Sequence, residues 1–368
     1  MTGAGAEPPD DHGSGWGRRS ALRLGLLAAG APVLAACAPR LAPPGPGTAA
    51  AAPRLGSDGT VFVAGDGARL PLTRWERSDD PAAVVIALHG FNDYANAFRE
   101  AGPFLANRGF AVWAPDQRGF GRAPHRGLWA GTARLVADLR ELVAVARAAW
   151  PGRRVVVLGE SMGGAVTMVA LTDPDRPLAV DATVLSAPAV WGRAAMPWLY
   201  RMVLDVTSAL APGLRVTGKG LDIWPSDNIE MLRRLGRDPL MIRATRTDTI
   251  RGLVALMDAA LRAAPRVPPP VLCLMGANDH IIPARPTLKA LSAMVGDGDD
   301  PRRRAALYPD GWHMLLRDLG AVTPLEDIVA WIEDPAAPLP SGADRRARAL
   351  LAGRLEVAPR SRPTVPAY

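Results

Sequence analysis

Cysteine and lysine are nearly missing from this chain. Its 368 residues hold two of each, Cys37 and Cys273, Lys219 and Lys289. Two cysteines exclude a disulfide framework. The five histidines, His12, His89, His125, His280 and His313, are scattered, and no Cys/His cluster has ligand spacing, so neither a metal nor another cofactor is expected. Cys273 sits in the apolar run PPPVLCLMG and is expected to be a small buried hydrophobe. The scarcity of lysine makes nearly every basic residue an arginine, a compositional bias without functional meaning. No internal repeat is visible, and no apolar run is long enough for a comfortable membrane span. The net charge of +7 invites a nucleic-acid partner, but residues 341–368 alone contribute four of those charges and residues 1–36 none. What remains is an ordinary globular balance, which excludes a nucleic-acid reading. Residues 339–368 are expected to form a basic, solvated and disordered tail.

What the chain does have begins at its start. GRRSALRLGLLAAGAPVLAAC carries Arg18 and Arg19, an apolar stretch from Ala21 to Ala35, and small residues before Cys37. This resembles a bacterial lipoprotein signal, with LAAC (Leu34 to Cys37) matching the lipobox, and its arginine pair resembles a twin-arginine export signal. The resemblance implies removal of residues 1–36, lipidation of Cys37, and a membrane-anchored protein in the cell envelope, on the periplasmic side. Ala38 after the cysteine resembles lipoproteins sent to an outer membrane. Residues 37–57 form a Pro/Ala linker, expected to hold the folded domain off the membrane.

From about residue 58 strand and helix signals alternate. AVVIALHG, FAVWAPD and DATVLSAP are strands, and TARLVADLRELVAVARAAW is a helix with Leu135, Leu139, Leu142, Val143 and Ala146 on one side. Alternation implies a mostly parallel sheet with helices on both faces and a site at the carboxyl ends of its strands. The pattern breaks between Trp191 and Pro268, where an apolar, Trp- and Met-rich stretch and further helices predict a cap. It resumes at PVLCLMG. The expected divisions are therefore 58–190 and 269–338 for the two parts of the core and 191–268 for the cap.

RVVVLGESMGGAVTMVA sets a serine on a turn between a buried strand and a buried helix. Gly159, Ser161 and Gly163 fit G-x-S-x-G, in which the glycines let a strained turn lift the serine Oγ above the sheet. Such a serine needs a base, and the base needs an acid, in the chain order Ser, Asp or Glu, His. His313, in YPDGWHMLLRD, stands after the last strand signal. Asp279, in VLCLMGANDHIIP, closes the strand before it, and Asp310 is a rival acid on the histidine's own loop. The backbone N–H groups of Met162 and of Phe91, in LHGFNDY, are candidate oxyanion donors, while His89 is expected to hydrogen-bond locally.

Together LHGFNDY, WAPDQRGFGRA, GESMGG, GANDHIIP and GWHMLLRD resemble the α/β-hydrolases of the monoacylglycerol lipase and lysophospholipase type, grouped with serine-aminopeptidase-like hydrolases. The resemblance spans roughly residues 58–335. It implies an α/β fold with a mostly parallel eight-stranded sheet and a helical cap after strand six. It further implies Ser161, Asp279 and His313 as the triad, Phe91 and Met162 as oxyanion donors, no cofactor, and a lipid ester with an apolar acyl chain as substrate. Trp191, Met196, Trp198, Leu199, Tyr200 and Met202 are candidates for an acyl-binding wall or a lipid-facing lip. PSDNIE is expected to open a helix capped by Ser226 or Asp227. Two rivals stay open: an aminopeptidase or amidase holding a substrate ammonium with Asp222, Asp227 or Glu230, and a lipoprotein that binds lipid without turning it over.

Overall fold

The computed structural model describes Met1 and Thr2 and residues 40–47, 52–218, 220, 222–296 and 298–363. The rest of the leader and Cys37 lie outside the described residues. The main sheet takes its strands in chain order from β1 (Arg54–Leu55), β2 (Val61–Val63), β3 (Arg69–Trp75), β4 (Ala83–Leu88), β5 (Phe110–Pro115), β6 (Arg154–Glu160), β7 (Ala182–Ser186), β10 (Val271–Gly276) and β11 (Arg303–Tyr308). Its spatial order is β1-β2-β3-β5-β4-β6-β7-β10-β11. The pairs from β1 through β3 to β5 are antiparallel, and every pair from β5 to β11 is parallel.

The central strands are apolar on both faces because both faces are covered. In β4, Val84, Ile86 and Leu88 enter one core cluster while Ala83, Val85 and Ala87 enter the other. β6 divides in the same way, Val155 and Val157 against Val156 and Leu158. Helices α1 (Ala101–Ala106), α2 (Thr132–Ala149) and α3 (Met162–Leu171) connect the first parallel strands. The connection from β4 runs to one side and the chain returns across it to β6, so β4 and β6 are neighbours whose connections leave in opposite directions. Their register, Leu88 beside Gly159, brings residues 89–91 and 160–161 together at the carboxyl ends. A crevice at such a switch point is where ligands enter parallel sheets.

Between β7 and β10 lie α4 (Trp198–Leu210), the short ribbon β8 (Arg215–Val216) with β9 (Thr245–Arg246), α5 (Ile229–Arg237) and α6 (Thr247–Ala263). The sheet holds nine strands where eight were expected, because Arg54–Leu55 adds a two-residue edge, and the insertion follows the seventh strand in this count. The expected cap also narrows. In α6, Val254, Leu256, Met257, Ala260 and Ala263 are buried in the main core, packed with α3, so this helix is the crossover that β10 requires. The expected linker is corrected in part. Ala42 N donates to Trp129 O at 2.8 Å, Gly45 N to Asp66 Oδ2 at 2.8 Å, and β1 pairs with β2, so these residues lie on the domain.

After β11 come α8 (Val322–Glu333) and α9 (Ala343–Leu351), and α7 (Ala284–Val295) precedes β11. Helix α9 corrects the expectation of a disordered tail. Ala343 and Ala347 are buried, Leu350 and Leu351 pack on the core, and Arg346 donates through Nε to Leu307 O at 3.2 Å. Arg346, one of the arginines that suggested a solvated tail, thus binds a carbonyl of the sheet edge, while apolar residues at helical spacing face inward. Cys273 is buried in β10 with a free thiol, whose ionisation burial suppresses. Among the described residues no helix is long and apolar enough to cross a membrane. Ala347→Asp would bury an unpartnered carboxylate under α9 and is expected to lower stability by roughly 2–4 kcal/mol, measured by chemical denaturation; an unchanged midpoint would show α9 to be loosely attached.

Candidate active site

Ser161 follows β6 with φ 50° and ψ −110°, a left-handed conformation that a residue with a Cβ rarely adopts. It is held there by Ser161 N donating to Ser186 O at 2.9 Å and by Ala189 N donating to Ser161 O at 3.0 Å. Two glycines make room. A Cβ on Gly163 would stand 2.2 Å from Leu88 O, and one on Gly159 would stand 2.6 Å from Gly164 N. The turn is therefore closed to any other residue at either position.

Across the sheet ends, His313 Nε2 lies 3.0 Å from Ser161 Oγ, and His313 Nδ1–H donates to Asp279 Oδ2 at 2.8 Å. The other oxygen of Asp279 accepts the N–H groups of Ile281 and Ile282 at 2.8 and 2.9 Å, so the carboxylate is fixed before the histidine meets it. Gly276 lets the acid and base loops touch, since a Cβ there would stand 2.5 Å from Gly311 O. Asn278 N donates to Gly311 O, and Asn278 Nδ2 to Pro309 O. Asp310 is not brought to His313; its exposed carboxylate bonds Arg360. Burial pushes the His313 imidazole toward neutrality, but the Asp279 carboxylate beside it outweighs that, Glu160 adds to Asp279 and Arg317 opposes it, leaving its pKa raised. The arrangement can take a proton from the serine and hold the resulting imidazolium.

Met162 opens α3, so its N–H has no intrahelical acceptor. Phe91 follows Gly90, which packs against Ser161: a Cβ on Gly90 would lie 3.3 Å from Ser161 Cβ. The Phe91 ring meets Phe120 edge-on at 5.6 Å. His89 is fully committed, its Nδ1–H donating to Gly90 O at 2.8 Å and its Nε2 accepting from Gln117 N at 2.9 Å. Burial lowers its pKa and keeps it neutral, a support for the loop and no base.

Three features escaped the sequence reading. Arg317, fully buried, donates to Asp93 Oδ2 at 2.7 Å and to Glu160 Oε1 at 2.5 Å, tying the loop after β4 to the residue before Ser161. All three residues stand inside the quoted motifs, but no spacing joins them. Asp318 accepts Ser226 Oγ–H at 2.6 Å and Trp312 N–H at 2.7 Å. Finally, the stretch 225–228 grips the histidine loop: Met314 N donates to Pro225 O, Asn228 Nδ2 to Arg317 O and Leu319 N to Asp227 Oδ1. The cap of α5 is consequently Asn228, which accepts from Met231 N, and not Ser226 or Asp227. Among the described residues no group of three or more His, Cys, Asp or Glu is placed to hold a metal.

Of the cap residues, Trp191 and Met196 are half-buried and pack on the core, with the Trp191 ring edge-on to Tyr200 at 6.4 Å. Trp198, Leu199, Tyr200 and Met202 are exposed. On α4, Leu199, Met202, Val203, Val206 and Leu210 follow helical spacing and are exposed, so this helix turns an apolar face to solvent.

Burial raises the pKa of Asp318 to about 7, and Asp227 nearby adds to the shift. An unfolded Asp titrates near 3.9, so between about pH 4 and 7 the folded state holds a proton that the unfolded state releases. This contribution to stability is full below pH 4 and is lost as pH rises through 7, at no more than about 1.4 kcal/mol per pH unit. Asp318→Asn should remove that slope. Denaturation of both proteins across the window would show their stabilities diverging with pH; parallel curves would mean that Asp318 stays ionised.

The family model of serine aminopeptidase S33 matches residues 79–320. The chain is similar to the monoacylglycerol lipase of Mycolicibacterium smegmatis, 28% identical over 273 residues that cover 74% of this chain and 95% of the relative. It is 24% identical to human monoglyceride lipase over 293 residues, covering 75% and 90%. In three dimensions it superposes on a soluble variant of monoglyceride lipase from Saccharomyces cerevisiae, in complex with a substrate analog, with a TM-score of 0.62 over 74% of this chain and 93% of that one, at 18% identity. These likenesses agree with a mostly parallel sheet flanked by helices. The chain belongs to the serine aminopeptidase S33 family and has the α/β-hydrolase fold.

Proposed function

We propose that this protein is a serine hydrolase of carboxylic esters with an apolar acyl chain, monoacylglycerols or lysophospholipids, acting through an acyl-enzyme. The observation that carries the reading is the hydrogen-bonded chain from Asp279 through His313 to Ser161 at the strand ends. His313 takes the Ser161 proton as Oγ attacks the ester carbonyl, and the Met162 and Phe91 N–H groups receive the oxygen that gains charge. The alcohol leaves with the proton from His313. Water, activated by the same histidine, then attacks the acyl-enzyme and releases the acid. Asp279 fixes the tautomer throughout.

The names of the relatives support an acylglycerol substrate, and the outward apolar face of α4 supports work at a lipid surface. The amidase reading loses ground. Asp222 is paired with Arg362, Asp227 accepts from Leu319 N, and Glu230 is exposed beside Arg233, so each already meets a donor or a cation. The proposal extends to the leader: residues 1–36 are removed and a lipidated Cys37 holds the protein to the periplasmic face of an envelope membrane, with the LAAC motif as its support.

The detergent-solubilised full chain should hydrolyse p-nitrophenyl esters with a rate that rises with acyl length, and 1-monoacylglycerol besides. Ser161→Ala should lose at least about three orders of magnitude. Cleavage of an aminoacyl anilide in place of esters would move the assignment to a peptidase, and residual activity within tenfold of wild type would remove the serine mechanism. For the anchor, metabolic labelling with a fatty-acid analogue should mark wild type and not Cys37→Ala; equal, absent label in both would refute it.

A further inference from the structure

Beyond the matched family region, the chain returns to the site. After α9, Leu355 and Val357 pack on the main core, and the segment that follows reaches the loops carrying the acid and the base. Arg360 N–H donates to Asn278 Oδ1 at 2.7 Å, and His280 Nε2–H donates to Arg360 O at 2.7 Å. One residue of the tail thus brackets Asp279, bonding both of its neighbours in sequence through main-chain groups. The Arg360 guanidinium bonds Asp310, three residues before His313, and Arg362 donates to Asp222 Oδ2 in the cap at 2.9 and 3.1 Å. His280 Nδ1 in turn accepts from Trp224 N, and its ring lies edge-on to Trp312 at 5.0 Å. The segment closes on Pro363, which is buried.

We infer that residues 358–363 are a positioning strap, which fixes the Asp279 loop against the His313 loop and the cap, and that Arg360 acts through its backbone in setting the acid–base pair. The two exposed ion pairs contribute little by themselves. The weight lies on Asn278, which is 1% exposed and also donates to Pro309 O and Gly311 O. With the Arg360 N–H absent, its buried carbonyl oxygen has no other bonded partner among the described residues, and the acid loop is free to relax. The inference rests on the hydrolase reading, because it assigns the strap to the geometry of that relay.

The test separates positioning from charge and from stability. The charged groups facing His313 are Asp279, Glu160 and Arg317, none of them in the strap. Removing Arg360 and Arg362 takes away two positive charges, which through space raises the pKa of His313. A slackened Asp279 contact lowers it. Direction therefore discriminates. In the full chain, the rate at which a fluorophosphonate labels Ser161 would be followed over roughly pH 5 to 9. Wild type would be compared with a chain ended after Val357, which keeps both core anchors, and with Arg360→Pro, which loses the N–H on Asn278 and the guanidinium on Asp310 and keeps the rest of the chain. Both variants should label roughly ten- to a hundredfold more slowly, with the acid limb displaced to lower pH by about half a unit or more and the melting temperature nearly unchanged. Wild-type rates, or slowed labelling with the limb in place or moved upward, would overturn the strap. Labelling needs no substrate, so a wild type that labels normally and hydrolyses no ester would remove the ester reading and leave the strap standing. A wild type that does not label would remove the relay and the strap together.

Discussion

Arg317 holds the site in register. It sits without solvent between Asp93, from the loop after β4, and Glu160, the last residue of β6 before Ser161. It also belongs to the loop that carries His313. One guanidinium thus joins three segments: the loop after β4, the serine strand and the histidine loop. Burying three charges is costly, and what stabilises them is their mutual geometry. Removal of the arginine would leave two carboxylates in a dry interior, so the three loops hold their positions together or not at all. The positive φ of Ser161 depends on the same clamp, since a strained residue persists only where its surroundings over-determine it.

Much of this was legible in the residues. Val155 to Leu158 announced a strand covered on both faces, and the glycines around Ser161 mark steric facts that the sequence encodes directly: a Cβ at Gly163 meets Leu88 O. Chain order placed Asp279 and His313 at the ends of successive strands, and the parallel sheet brings those ends together. The unread part is tertiary. Nothing in local pattern says that Arg317 faces Glu160, 157 residues away. Asp318 was equally opaque, because its raised pKa comes from burial, which tertiary packing creates.

The cap and the tail show where composition misleads. Helix α6 is apolar and follows a Trp- and Met-rich stretch, so it resembles the cap; its burial against α3 comes from the topology, which needs a crossover before β10. In the tail, six arginines and two acids suggested a solvated end, yet Arg346 binds the sheet edge and Ala343 and Ala347 of α9 face inward. Arginine covers apolar surface with its stem while its head finds carbonyls. Counting charges does not reveal which way a side chain turns.

The order of the chain has a kinetic meaning. Ser161 and His313 are 152 residues apart, and Asp279 comes from a third segment. Contacts of such separation form late, after the loop-closure entropy of the intervening chain has been overcome. The base and the Arg317 clamp arrive on one loop, so the turn at Ser161 and the loop after β4 are fixed only once that loop has docked.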